Sequence, residues 1–557
     1  MNISFKPILS LLAALCLPAA LSAQPQMSWI STDIHVSQHA PAPAALTSDT
    51  TLTVWRGERA SMQALIYAPE ATGPLRLRLT DWKNGSRKVP AAQGSAHFLD
   101  YVTTDNFQYC GYHPTHLTPY QVPDLLSNAV AHRIGARQTQ PVWCTFEVPR
   151  TAQPGVYKLR LELLDSAAQH VVGKLNLSVK VLGRTLPAPQ EQAFHVDFWQ
   201  QPYAVARHCG VERWSDAHFE SLKPYLQLLA RSGQKVISTI LFYEPWGDQS
   251  YDKFDPMVRT VKKADGSWSY DYTVFDRYVQ LCMDCGISKQ ISCYSMVPWD
   301  MSFRYYDEKQ AREVDLKTTT SSAEYKELWT AFLKDFAAHL QQKGWFDKTC
   351  IAMDERGLAN MLDAYRVAQE AVPGMKMALA GNYHAELVDK LHDYCIAFGQ
   401  DFSAEELAAR QKQGRVSTTY TCCSNTHPNL FSNSLPAEAA FLPLYCIANH
   451  FEGYLHWSWM NWDDKSLTDS RYRLFAPGDT YLVYPGPQSS VRYERFIEGV
   501  ALAEKVRLLR QEYASSASAA SLERLDQLLQ RCEPEEYPEG ETAATLVDAV
   551  RREVNAE

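Results

Sequence analysis

The chain is short of the signatures that fix a chemistry at a glance. It has no HExxH motif, no glycine-rich phosphate loop and no GxSxG elbow, so the usual sequence grounds for a zincin, a nucleotide-binding enzyme or an α/β-hydrolase are missing. It also has no basic cluster. Lys and Arg are spread along 557 residues of formal net charge -9, which argues against a nucleic-acid footprint. No apolar run beyond residue 23 is long enough to span a bilayer. Paired CxxC motifs are absent too. Cys282-Met-Asp-Cys285 has metal or redox spacing, but no second CxxC accompanies it, so buried structural thiols are expected there and at Cys422-Cys423.

What is present is ordinary globular composition, 46% hydrophobic and 21% charged, in a chain long enough for two or three domains. The aromatic load is high, with 14 Trp and 29 Tyr. Core packing takes most such rings, and carbohydrate sites also use them, because sugar C–H faces stack on flat surfaces. At the N-terminus Lys6 precedes ILSLLAALCLPAALSA and then Gln24-Pro25. This stretch is short for a membrane span and ends on small residues, so residues 1–23 are expected to be a signal peptide directing export to the periplasm or beyond. Cys16 would suit lipoprotein processing, but Leu15 stands where a small residue is needed. The exported chain is free to form disulfides, yet domains of this size do not require them.

Between residues 24 and 186 the pattern is strand-like. TLTVWRGERASMQALIYAP, GPLRLRLTDW, PVWCTFEVP, GVYKLRLELL and GKLNLSVKVL run between Gly, Pro, Asn and Asp turns, as in an antiparallel β-sandwich. GRTLPAPQEQ reads as a linker. From 187 to 489 strands and helices alternate: FHVDFW, KVISTILFYEPW, ISKQISCYSMVPW, TCIAMDE, MKMALAGN, DYCIAFG, RVSTTYTCC and GYLHWSW are eight strand candidates, most with helical segments between them. That count suits a (β/α)8 barrel of typically ~250 residues. An open doubly wound sheet is the alternative, but no dinucleotide fingerprint favours it. Residues 490–557 read as a charged helical extension packed against the barrel.

CIAMDERG then raises a question: an apolar strand runs directly into two like charges, Asp354 and Glu355. The other acidic pair, Asp307-Glu308 in YYDEKQAREV, sits in a polar, helix-like stretch and reads as solvated surface. Asp354-Glu355 instead falls at the C-terminal end of strand four, the face on which barrel enzymes carry their chemistry. Other strand ends hold Trp199, Tyr243-Glu244-Pro245-Trp246, Pro298-Trp299-Asp300, Asn382-Tyr383 and Tyr420, and the last strand brings Trp457, Trp459 and Trp462. Taken together they look like the lining of a sugar cleft.

Two carboxylates flanking a glycosidic bond are normal glycosidase equipment, but neighbours on one strand end are poorly placed to attack opposite faces of one carbon. A different division fits. One carboxylic acid protonates the leaving oxygen while the other assists a substrate 2-acetamido group that closes on C1 as an oxazoline. One ionised carboxylate raises its neighbour's pKa, which keeps the acid protonated near neutral pH.

At these residues the sequence resembles glycoside hydrolase family 123, exported β-N-acetylgalactosaminidases with a β-sandwich before a (β/α)8 catalytic barrel. The likeness rests on CIAMDER, GQKVISTILFYEPW and HWSWMNW…DSRYRLFAPGDTYLVYPGPQSSVRYERFIEGV. It covers the barrel and its extension, and the domain order agrees over the whole chain. The resemblance implies that Asp354 assists the acetamido group and Glu355 is the acid/base, with retained configuration, no glycosyl-enzyme ester, and no metal or cofactor. It also implies a Trp-rich strand eight with an Asn near its end, places that Asn461 and Trp462 fill.

Tyr420 is the candidate to hold the acetamido carbonyl. Trp457 or Trp459, two apart on one strand face, is the candidate floor of the sugar subsite. Trp299 and Asn382 complete the binding set. The expected partner is a carbohydrate with terminal β-linked N-acetylgalactosamine. The alternatives are a β-N-acetylglucosaminidase of the same mechanism, a metal-dependent hydrolase such as a deacetylase, for which no compact ligand motif is present, and a non-catalytic glycan-binding barrel.

Overall fold

The computed structural model describes residues 24–556 apart from 109–110, 112–113, 168 and 517. The expected signal segment, with Cys16, lies outside the described residues. Alternation makes the first domain. In Gly155–Asp165, Tyr157, Leu159, Leu161 and Leu163 are buried while Val156, Lys158 and Arg160 are exposed, so one face of the strand joins the core. Five- and six-stranded sheets enclose that core. Their pairings are antiparallel except that Asp49–Arg56 runs parallel to Val171–Thr185.

The second region is a parallel eight-stranded barrel: β1 His195–Phe198, β2 Val236–Ile240, β3 Gln290–Tyr294, β4 Thr349–Met353, β5 Lys376–Gly381, β6 Asp393–Ala397, β7 Val416–Tyr420 and β8 Gly453–His456. All eight strand candidates are strands, in the expected order. Neighbours pair in sequence from β2 to β8, and β8 pairs with β1. The seam between β1 and β2 is held by one parallel bridge, Val196 to Gln234, and by the Lys235 N–H donating to the Val196 carbonyl at 2.9 Å. Gly453 opens β8 where a Cβ would lie 1.8 Å from the His195 carbonyl oxygen, so only glycine lets β8 reach β1.

Helices follow most strands: α1 Asp216–Ala230, α2 Thr273–Asp284, α3 Ala323–Lys343, α4 Leu358–Ala371, α5 Ala404–Lys412 and α6 Pro436–Ala448. Between β5 and β6 there is only the 3₁₀ turn Ala385–Leu387. The reasons for α3 are local. Ser322 caps it by accepting the Tyr325 N–H, and Gly344 ends it at φ 69°. Its buried stripe of Tyr325, Leu328, Trp329, Phe332, Phe336 and Leu340 recurs at helical spacing. Each of these stabilises by about 1.5–3 kcal/mol on burial.

The Asp307-Glu308 stretch is not helical. Ser302–Asp307 and Arg312–Lys317 form an antiparallel hairpin in a small four-stranded sheet with Arg259–Lys262 and Trp268–Asp271, carried on the loops after β2 and β3. The acidic pair begins its turn, where Asp307 accepts the Gln310 N–H at 3.0 Å. Solvated acidity was the correct reading of the residues, and strand pairing decided their conformation.

The C-terminal region begins with α7, Val491–Ser515, whose first half is buried against the barrel helices and the sandwich. Its charges are paired across to the first domain. Arg492 Nε lies 3.0 Å from Asp124 Oδ2, and Arg59 grips Glu494 through Nε at 2.9 Å and Nη2 at 3.0 Å. Helices Ala519–Gln530 and Ala543–Val554 complete this layer.

Candidate active site

Strand parity decides what enters the barrel. In β4, Ile351 and Met353 face the helices while Cys350 and Ala352 face inward. Asp354 continues the inward register at the strand's end, and Glu355 follows on the exposed side. The same parity sends Ala378, Ala380 and Cys395 inward from β5 and β6. These small residues leave space that Trp199, Trp246 and Tyr294 fill only from the opposite wall, with Trp199 and Trp246 centroids 5.4 Å apart. What remains open is a cleft of about 220 Å³ at the C-terminal mouth.

Asp354, Glu355, Tyr420, Trp299 and Trp457, all expected site residues, line this cleft. Asp354 Oδ1 accepts the Glu355 backbone N–H at 2.8 Å, and Oδ2 accepts the Trp299 indole N–H at 3.2 Å. Its carboxyl is raised to about 6, first by burial and further by the charge of Glu355, against the two hydrogen bonds and Arg356. Like-charge repulsion therefore acts as expected in sign, but burial is the larger cause and Asp354 is the group displaced. Tyr420 donates its hydroxyl to Glu355 Oε1, so it addresses the exposed carboxylate. Trp457 packs against Phe475, with centroids 4.8 Å apart and the rings tilted by 30°.

The other expected binding residues are elsewhere. β8 ends at His456, so the two-residue alternation does not carry on to Trp459. Trp459 is fully buried between Phe198 and Tyr493, in the layer behind the strands. Trp462 is buried beside Tyr225 and donates to the Val483 carbonyl at 2.7 Å. Asn461 is buried and accepts the Tyr251 N–H at 2.8 Å, which pins a loop. Asn382 is exposed after β5 and bonds Gln400 at 2.9 Å, outside the cleft lining. Glu244 is buried, its Oε2 taking the Phe254 N–H at 2.7 Å, and Asp300 is exposed; neither lines the cleft.

Gln249, Cys422, Phe475 and Asp479 line the cleft without having been singled out as site residues. Phe475 and Asp479 come from the long loop after β8, where no periodicity marks them. Asp479 is buried and raised to about 7 by that burial. Cys423, also in the lining, is disulfide-bonded, so the expectation of thiols fails there while Cys282 and Cys422 are free. A larger groove of about 660 Å³ lies between the sandwich and the C-terminal helices, but it carries ion pairs and no aromatic ring. Among the described residues, no three His, Cys, Asp or Glu side chains are grouped to hold a metal ion.

This arrangement offers a partly buried carboxyl of raised pKa, an exposed carboxylate beside it, and flat rings around one small cavity. The sequence model of the glycoside hydrolase 123 catalytic domain matches residues 199–509, and that of the glycoside hydrolase 123 N-terminal domain matches residues 29–165. No curated protein matches the chain. Among solved structures, a family 123 glycoside hydrolase from Clostridium perfringens, studied for glycolipid glycan hydrolysis, superimposes with a TM-score of 0.86 at 24% identity, covering 96% of this chain and 98% of that one. A Bacteroides uniformis β-glucuronidase reaches a TM-score of 0.29 at 10% identity over 84% of this chain and 49% of its own. The second likeness is too slight to carry an argument.

Proposed function

The chain belongs to glycoside hydrolase family 123, and from that premise we propose that it is an exported, retaining β-N-acetylgalactosaminidase that acts on glycans or glycolipids by substrate assistance. One observation carries the reading: two adjacent carboxyl groups have different surroundings at one sugar-sized cleft. Asp354 faces inward with each oxygen already holding one N–H, while Glu355 is exposed and takes the Tyr420 hydroxyl. A carboxylate accepts more than two hydrogen bonds, so Asp354 has lone pairs left for a substrate amide N–H.

In this mechanism the 2-acetamido oxygen forms a bond to C1 as the C1–O bond to the leaving group breaks. Glu355 gives its proton to that oxygen, and Asp354, ionised, stabilises the oxazolinium charge. Glu355 then takes a proton from the water that opens the oxazoline. Trp457, braced by Phe475, supplies a flat wall for the sugar. Export is supported by the apolar N-terminal stretch and by the Cys423 disulfide, which suits an oxidising compartment.

The test is a panel of aryl β-glycosides of N-acetylgalactosamine, N-acetylglucosamine, galactose and glucose, with and without chelator. The expected outcome is chelator-resistant turnover of the first alone or by far the best. Preference for the N-acetylglucosaminide would keep the mechanism and change the sugar. Comparable turnover of the galactoside, which has no acetamido group, would end the substrate-assisted reading, and no turnover of any would leave a glycan-binding barrel.

A further inference from the structure

The third residue of the carboxylate motif, Arg356, enters none of these steps, yet its guanidinium is held through Nη2 and its flat face, while its buried Nε has no hydrogen-bond partner. Its guanidinium lies over the Trp299 ring, with Cζ 4.2 Å from the centroid. Nη2 donates to the Pro298 carbonyl at 2.8 Å and to the Trp299 carbonyl at 3.1 Å. Arg356 therefore holds the loop after β3 by both its backbone and its ring. That matters because Trp299 is 40% exposed, so burial does not choose its rotamer. A stacked, planar cation does. From the ring so held, the indole N–H reaches Asp354 Oδ2 at 3.2 Å.

We propose that Arg356 is a positioning residue for the hydrolysis: it clamps Trp299 so that the indole N–H keeps the Asp354 carboxylate turned to receive the substrate's amide. The proposal rests on the reading of Asp354 as the assisting group. With Oδ1 tied to the Glu355 N–H and Oδ2 to Trp299, the carboxylate plane has two anchors, and release of one lets it rotate. A 1 Å misplacement of this kind is enough to cost ~10²-fold in rate. The bland rival is that Arg356 only stabilises the 298–300 loop.

Two readouts separate these. The first needs no substrate: titration of the Asp354 carboxyl carbon by NMR in wild type, Arg356→Met, Arg356→Lys and Trp299→Phe. Asp354 acts on Glu355, Arg356 and Tyr294; Asp300 faces Arg356 as well, and Tyr420, Cys422 and Asp479 line the same cleft. Both the indole hydrogen bond and the Arg356 charge favour the ionised form, so Arg356→Met and Trp299→Phe should move the titration upward. Arg356→Lys, which keeps charge without the planar stack, should move it less.

The second readout is kcat and KM in wild-type and Asp354→Asn backgrounds. In the wild-type background Arg356→Met should lower kcat by roughly tenfold or more with KM little changed, within the range that misplacement allows. In the Asp354→Asn background the same change should cost under about twofold, because the group it positions is already disabled. If Arg356→Met does not fold, Trp299→Phe carries the test, since it keeps a smaller aromatic face under the guanidinium and removes the indole N–H with its five-membered ring. An unmoved Asp354 titration, or equal losses in both backgrounds, overturns the clamp. A shifted titration with no turnover of any N-acetylhexosaminide would instead count against the proposed substrate and leave the clamp standing.

Discussion

The Tyr420 hydroxyl donates to Glu355 Oε1, joining the end of β7 to the residue just past β4 across the barrel mouth. Tyr420 is almost fully buried, and burial together with the Glu355 charge holds its phenol far above the ordinary range, so it acts as a donor at any working pH. Removing that donor frees an exposed carboxylate to rotate. Tyr420→Phe should lower kcat/KM by about 10–100-fold, the worth of a hydrogen bond to a charged group of about 1.5–3 kcal/mol. Steady-state kinetics on an aryl N-acetylgalactosaminide checks it; an unchanged rate would make Tyr420 a packing residue.

Glu355→Gln should separate the acid from its neighbour by leaving-group dependence. A general acid contributes ~10²–10⁴-fold, and most where the departing oxygen is basic. The mutant should be nearly inactive on a sugar leaving group and far less impaired on a dinitrophenyl one. A plot of log kcat/KM against leaving-group pKa should be steeper for the mutant. Equal slopes would remove Glu355 as the acid.

Asp354 predicts both a rate profile and a stability profile. Asp354 must be ionised while Glu355 keeps the proton it gives, so kcat/KM should be bell-shaped with its acid limb near pH 6, and Asp354→Asn should be slow throughout, without that acid limb. For stability the sign is opposite. A carboxyl whose folded pKa lies above the unfolded value destabilises once the pH exceeds both. Asp354→Asn should therefore stabilise the protein at pH 7.5 by on the order of 2 kcal/mol, with the gain shrinking towards pH 4. Denaturant melts at the two pH values measure it, and a pH-independent difference would contradict the burial of this group.

The joint between sandwich and α7 offers a test on stability alone. Burial by itself would push Glu494 up, but the Arg59 guanidinium outweighs it and holds the carboxyl below its usual range. That stability is present above the unfolded carboxylate pKa and is lost as pH falls through the lower folded value. Glu494→Gln should cost ~3 kcal/mol at neutral pH, because it leaves Arg59 poorly compensated. Glu147, 2.6 Å from Arg59 Nη1, moderates the loss. The deficit should narrow in acid, and a deficit that grows there would contradict the pairing.

Much of the site was legible because strand parity is a local property. CIAMDE places Asp354 inward by simple alternation, and the expectations for Trp299, Tyr420 and Trp457 depended only on their lying at or just past a strand end. Parity misled where the strand stopped. Trp459 shares a face with Trp457 only if β8 continues, and it ends at His456. Trp462 and Asn461 belong to a loop whose partners, Tyr225 and Tyr251, lie more than two hundred residues upstream. YYDEKQAREV reads as helix-like because it is centred on the polar turn, whereas the alternation that marks the hairpin, Phe303 with Tyr305 and Val314 with Leu316, lies mostly at and beyond its ends.

By itself the sequence determined the eight barrel strands, the order sandwich then barrel then helices, and which carboxylates follow strand four. These follow from periodicity, capping and turn residues, which act over a few neighbours. Tertiary structure decided the electrostatics. Trp299 reaches Asp354 across 55 residues and Tyr420 reaches Glu355 across 65, and burial at the mouth of the barrel raises Asp354 more than the adjacent charge does. A carboxyl group's pKa depends on what surrounds it in three dimensions, and only closure of the barrel brings those surroundings together.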